Sequence, residues 1–162
     1  MKKLNTTEEI LRYAIGRENE SYKFYMDWAE QVKHLLLREA LESFAREELR
    51  HKSLLELEIL KTGKVVAGAE IPGEAQEIDH LILPQDFESE ADVLRIFLQA
   101  DVKNIFMQAI EREKASFHVY IDLALNIGEE EMRQTFLSLA EEEEKHRIWF
   151  EIEYDKLLQR KE

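Results

Sequence analysis

The sequence predicts an all-α chain: a four-helix bundle built from two helix hairpins joined by one long crossover. Three observations lead there. Apolar residues recur at the 3.6-residue period along stretches rich in Glu, Leu, Ala and Lys. Three of the five glycines and both prolines fall in a single segment, "GKVVAGAEIPGEAQEIDHLILPQDF" (63–87). The second half of the chain also repeats the first. Shifted by 95 residues, "AIGRENESYKFY" (14–25) falls on "AIEREKASFHVY" (109–120) with six identities in twelve positions. The same ungapped register pairs Arg38 with Arg133, Ser43 with Ser138, Ala45 with Ala140, Glu47 with Glu142, Glu48 with Glu143 and His51 with His146. A register kept through two helices and their turn describes one hairpin used twice. Two such hairpins can close into a bundle with approximate two-fold symmetry.

Each element has its own signal. Thr6 with Glu9 forms a capping-box pattern, and the apolar period then runs to about Val32. After a short break at 33–36, helix 2 carries the period from about Leu37 to Thr62, where Gly63 is the expected stop. The first hairpin is therefore placed at about 7–62 and the crossover at about 63–88, long enough to traverse a bundle from end to end. Ser89 with Asp92 suggests a second cap, opening "SEADVLRIFLQA". Asp101 marks either a break or a point inside a longer helix 3, which ends near Asn126; Gly128 separates it from helix 4, about 129–159. The second hairpin spans about 89–160, and a chain of 162 residues with 44% hydrophobic content is expected to form a single domain.

Composition excludes several functions. A net charge of −13 without a basic stripe argues against nucleic acid or an anionic membrane as partner. No apolar run approaches membrane-spanning length. Cysteine is absent, which rules out disulfides, thiolate metal sites and iron–sulfur ligation. The start "MKKLNTTEEI" has no apolar run behind its lysines, so a cytoplasmic protein is expected.

The chemistry lies on the inward stripes. Helix 1 presents Leu11, Ala14, Ile15, Glu18, Tyr22, Tyr25, Ala29 and Val32; helix 2 presents Leu37, Leu41, Phe44, Glu48, His51, Leu55 and Ile59. Helix 3 presents Phe106, Ala109, Ile110, Glu113, Phe117, Tyr120 and Ala124; helix 4 presents Met132, Phe136, Leu139, Glu143, His146, Phe150, Tyr154 and Leu157. Each stripe holds one mid-helix glutamate, and helices 2 and 4 add a histidine one turn later. Burying one unpaired carboxylate costs several kcal/mol, and gathering four adds mutual repulsion. No stripe carries Lys or Arg, and Arg17 and Arg112 point off the axis. Two multivalent cations would supply the missing charge, with four carboxylates and two imidazoles as ligands and positions left open.

The motifs "AIGRENESYKFY", "EELRH", "AIEREKASFHVY" and "EEEKH" cover nearly all of the chain outside the crossover. Through them the chain resembles the ferritin-like di-iron carboxylate superfamily and, within it, the rubrerythrin group. The resemblance implies two iron ions, oxo- or hydroxo-bridged, with Glu18 and Glu113 as terminal ligands, Glu48 and Glu143 bridging, and His51 and His146 each on one metal. Manganese or a mixed pair would also suit the donors. It further implies an up-down-down-up topology and a non-haem di-iron oxidoreductase that reduces hydrogen peroxide or O₂ with Fe(II) in oxidative-stress defence. The alternatives are a ferroxidase or iron-handling protein of ferritin type, and peroxide dismutation in the manner of manganese catalases. Many rubrerythrins carry a rubredoxin domain with four cysteines; this sequence has none, so an external electron donor such as a rubredoxin-like protein is expected. It also has Ser116 where rubrerythrins place an extra carboxylate, and Leu49 where bacterioferritins place a haem-binding Met.

Bland readings suit the remaining residues. Tyr25 and Tyr120, two turns beyond Glu18 and Glu113, are expected to hydrogen-bond ligand carboxylates and could donate an electron. Glu141, Glu142 and Glu144 are expected in solvent, and His34, His80 and His118 away from the site. Trp28 and Trp149 read as core or interface packing. The apolar "DHLILP" (79–84) suggests a covered groove or the contact of a homodimer.

Overall fold

The computed structural model describes Leu4, residues 6–63 and residues 102–159. Among them are four long helices and no strand: α1 (Thr7–Gln31), α2 (Leu35–Lys61), α3 (Val102–Asn126) and α4 (Glu130–Gln159). No described helix is long and apolar enough to cross a membrane. The Thr6 cap forms as expected, its hydroxyl accepting from the Glu9 N–H, with two acidic residues in the first turn to suit the helix dipole. Helix α2 begins two residues earlier than its apolar period suggests. His34 occupies the N-cap without a side-chain cap bond, so the Leu35–Leu37 run itself starts the helix. At the other end Gly63 adopts φ 76°, the left-handed conformation that glycine enters without a Cβ penalty.

The helices pack as α1·α2 and α3·α4 hairpins into a four-helix bundle. The two turns are closed in the same way. The Arg38 guanidinium donates to the Val32 carbonyl at 2.9 Å, and its repeat counterpart Arg133 donates to the Ile127 carbonyl at 3.1 Å.

The apolar interior divides into two ends. One contains Tyr25, Leu37, Leu41, Phe44, Phe106 and Phe150; the other contains Leu11, Leu55, Ile59, Tyr120, Met132 and Phe136. Every helix runs from one end core to the other, and its glutamate lies at the crossing. Helix α1 enters the second core first and α2 the first; α3 also starts in the first core and α4 returns from the second. That order is up-down-down-up. Helices α2 and α3 therefore run the same way, and the connection between Gly63 and Val102 joins opposite ends of the bundle. The crossover at 63–88 expected from sequence, the Ser89 cap, the Asp101 question, His80 and "DHLILP" all lie outside the described residues apart from Gly63.

The inward stripes are largely as read, with eight corrections on their flanks. Ile15, Tyr22, Ile110, Phe117 and Tyr154 are only partly buried, whereas Ser21, Ser116 and Glu153 are buried. The helical period of 3.6 leaves adjacent flank positions ambiguous, and interhelical packing decides between them. The centre itself is unambiguous.

Candidate metal centre

Six polar side chains lie between the two apolar ends: Glu18 from α1, Glu48 and His51 from α2, Glu113 from α3, Glu143 and His146 from α4. None is more than 1% exposed. Glu48 and His51 are one turn apart, as are Glu143 and His146, so each pair projects from one helix face into the same layer.

Their ligand atoms form two overlapping groups. Glu18, Glu48, His51 and Glu143 offer atoms all within 4.8 Å of one another, and so do Glu48, Glu113, Glu143 and His146. Glu48 and Glu143 belong to both groups, the placement that carboxylates shared by two cations require. The His51 Nδ1 atom lies 2.9 Å from Glu143 Oε1, 3.4 Å from Glu18 Oε2 and 3.7 Å from Glu48 Oε2. The His146 Nδ1 atom lies 3.6 Å from Glu113 Oε2 and 3.7 Å from Glu48 Oε1. The two imidazole rings are nearly parallel, with centroids 5.9 Å apart.

Among the described residues, the atoms facing this centre have no hydrogen-bond partner: Glu18 Oε2, both Glu48 oxygens, Glu113 Oε2, Glu143 Oε1 and the Nδ1 atoms of both histidines. Buried polar atoms left this way are strongly unfavourable unless something else satisfies them. Oxygen and imidazole donors converging on two adjacent points suit a pair of divalent or trivalent cations of the first transition row. The residues therefore fit a di-metal centre.

The atoms facing away are held. The Tyr25 hydroxyl donates to Glu113 Oε1, and the Tyr120 hydroxyl donates to Glu18 Oε1. Each bond crosses from one hairpin to the other, and both tyrosines are buried, as the sequence suggested. His51 Nε2 donates to Glu142 Oε2 at 2.8 Å, and the same oxygen accepts from Arg50. Glu142 is thus a correction to the solvated role expected for it: its side chain is 19% exposed and supports a candidate ligand. The run "EEEE" hid it, because only packing distinguishes the one glutamate that turns towards His51. Its pairing with Glu47 in the repeat, beside the glutamate of each Glu-x-x-His, was the available signal. Glu141 is exposed as expected, and Glu144 is engaged by Arg147 at the surface.

Charge is unevenly distributed over the metal-free cluster. Burial, then the neighbouring Glu143 and Glu18 carboxylates, push Glu48 well above the ordinary carboxyl range. Burial and Glu113 do the same to Glu143. Burial would also raise Glu18 and Glu113, but the adjacent His51 and His146 rings respectively outweigh it and hold both below the usual value. For His51, burial favours the neutral ring, yet Glu142, Glu143, Glu18 and Glu48 raise it well above normal. Without metal, the shared glutamates and His51 therefore hold protons more tightly than usual. Cations entering the centre displace those protons.

The other candidates lie elsewhere. His34 sits at the N-cap of α2 and His118 is exposed against Phe117. Arg112 lies over the Phe24 ring at 4.9 Å, and Arg17 pairs with Glu20 at 3.6 Å, so neither neutralises the cluster. Trp149 is core, its ring against Phe44 at 5.1 Å, while Trp28 is partly buried against the same cluster. Ser116 is buried one turn after Glu113 and contributes no carboxylate.

Comparison with known proteins gives a consistent placement. The chain is similar in structure to a hypothetical protein from Pyrococcus furiosus, with 27% identity, a TM-score of 0.66, and coverage of 95% of this chain and 91% of that one. No curated protein matches. A family model described as Rubrerythrin matches residues 9–154, which include all four helices' glutamates and both histidines. A ferritin-like bundle with a buried carboxylate and imidazole cluster that fits two metals, matched over nearly its full length by that model, belongs to the rubrerythrin family.

Proposed function

We propose that the protein is a non-haem di-iron oxidoreductase that reduces hydrogen peroxide, and O₂ more slowly, to water. The observation that supports this most is the pair of overlapping ligand groups sharing Glu48 and Glu143, with their inward atoms unsatisfied. Glu18, Glu48, His51 and Glu143 would hold one metal, and Glu48, Glu113, Glu143 and His146 the other. Two ferrous ions held side by side supply two electrons together, which suits cleavage of an O–O bond without release of radicals.

The chain's own residues have three tasks. The four glutamates hold two cations close together, and the shared pair, Glu48 and Glu143, releases protons as the cations enter. Tyr25 and Tyr120 fix one oxygen of Glu113 and Glu18, so that the other oxygen of each points inward. The apolar cores on both sides exclude bulk water from the layer. Electrons come from an external donor such as a rubredoxin-like protein, because the chain has no cysteine with which to carry its own redox site. A homodimer in the cytoplasm completes this reading.

Ser116 favours a second reading. Without a carboxylate one turn after Glu113, the donor set is the symmetrical one of four glutamates and two histidines, which also suits a ferroxidase or a manganese pair. Anaerobic Fe(II) loading followed by stopped-flow mixing with peroxide or O₂ separates these. Peroxide is expected to oxidise the centre faster. Faster oxidation by O₂ would overturn the peroxidase assignment and favour iron handling, and native manganese content would favour dismutation.

A further inference from the structure

The internal repeat makes the two halves of the centre comparable residue by residue. They agree at the six candidate ligands, at the two tyrosines and at the arginines that close the turns. They part on the outer side of the two histidines. On the first side, His51 Nε2 donates to Glu142, and Arg50 braces the same carboxylate oxygen. The repeat counterparts of His51 and Glu142 are His146 and Glu47. Glu47 does not mirror the bond: it accepts from Arg50 Nε at 3.0 Å, and His146 Nε2 has no hydrogen-bond partner among the described residues. The counterpart of Arg50 is Lys145, which pairs with the exposed Glu141 at 2.8 Å. A single arginine therefore gathers both outer carboxylates beside His51. His146 instead packs against Phe44 in a T-shaped arrangement, with centroids 4.9 Å apart, and the repeat puts Leu139 at the position of Phe44.

We propose that Glu142 and Arg50 are positioning residues that make the two metal positions unequal, so that the His51 position is preorganised and fills first while the His146 position fills second and exchanges more readily. A carboxylate on the distal ring nitrogen fixes the tautomer, aims the other nitrogen at the cation and raises its basicity. Arg50 keeps that carboxylate from swinging inward to become a ligand itself. The ring of His146 packs against Phe44 and has no carboxylate on its outer nitrogen among the described residues. The inference rests on the di-metal reading and adds to it an order of filling.

The test uses the full metal-free chain titrated anaerobically with Co(II), followed by calorimetry and by visible absorption. Anomalous scattering from crystals given one equivalent locates the first ion. Two steps are expected, with the first ion beside His51. Glu142→Gln is expected to weaken the tighter step by about 10–100-fold and to leave the other within about threefold. Arg50→Lys, which restores the symmetry with Lys145, is expected to narrow the gap between the steps, and Glu141→Gln on the surface to change neither. If Glu142→Gln fails to fold, the Arg50→Lys titration and the location of the first ion in the unmodified chain decide. Two equal steps, a first ion beside His146, or an Arg50→Lys gap equal to the unmodified one would overturn the proposal while leaving the di-metal reading standing. Uptake of no ion, or of only one, would overturn both.

Discussion

Glu48→Gln separates stability from metal binding in opposite directions. Both Glu48 oxygens face the centre without a hydrogen-bond partner, so an amide of the same shape loses no bond there. Glu48 and Glu143 have ligand oxygens within 4.8 Å of each other, and two full charges at that distance repel by about 3.5 kcal/mol at an effective dielectric constant of about 20. Burial and that repulsion raise the Glu48 carboxyl well above its ordinary range in the metal-free fold. The sign follows. A raised carboxyl imposes no penalty below the unfolded-state value, and the penalty grows as pH rises through the raised one. At about pH 5 the protonated Glu48 resembles glutamine, and the substitution changes metal-free stability by under about 1 kcal/mol. At about pH 8 it stabilises the metal-free fold by about 2–3 kcal/mol, within the range seen when buried charges are replaced by neutral groups. For a chain of this size that is roughly 5–10 °C in melting temperature. The same substitution removes a carboxylate from both metal positions, so added metal no longer raises the melting point. Thermal unfolding followed by circular dichroism, with chelator or with metal at both pH values, reads all of this. A metal-free variant that melts below the parent at about pH 8, or a gain larger at about pH 5, would refute the electrostatic reasoning.

Tyr25→Phe and Tyr120→Phe each remove one hydroxyl that holds a glutamate across the hairpin interface. Each is expected to weaken metal binding by about tenfold, with a stability loss near 1 kcal/mol, as read by calorimetric titration and by melting. Metal at about a hundred times its dissociation constant is expected to stabilise the fold by about 2.7 kcal/mol, and a chelator to reverse it. Acidification is expected to release the metal as the glutamates and histidines take up protons, which a metallochromic dye reports; retention of metal into strong acid would contradict carboxylate ligation.

Much of this was legible because the centre breaks a simple rule twice. Glu48 and His51 stand where the apolar period calls for core residues, and Glu143 and His146 repeat the breach 95 positions later. A buried-stripe position is a strong constraint, so the structure buries all six residues. The order of helices was legible for a related reason: a long connection is needed only when helices α2 and α3 run the same way. What the sequence hid depends on packing rather than period. Glu142 looks like its neighbours in a run of four glutamates, and only the approach of α2 and α4 turns it onto His51 and Arg50. Glu153 lies beside the stripe in sequence but is fully buried, with Lys156 as one partner at 2.6 Å, whereas Tyr154 on the stripe is only partly buried.

The most direct measurement is the number and location of metal ions in crystals of the protein loaded with Fe(II) without oxygen and measured at the iron absorption edge. Two anomalous peaks per chain are expected, with Glu48 and Glu143 contacting both ions and His51 and His146 one each. A centre that takes up no ion, or ions that bind only at the surface carboxylates, would contradict the account.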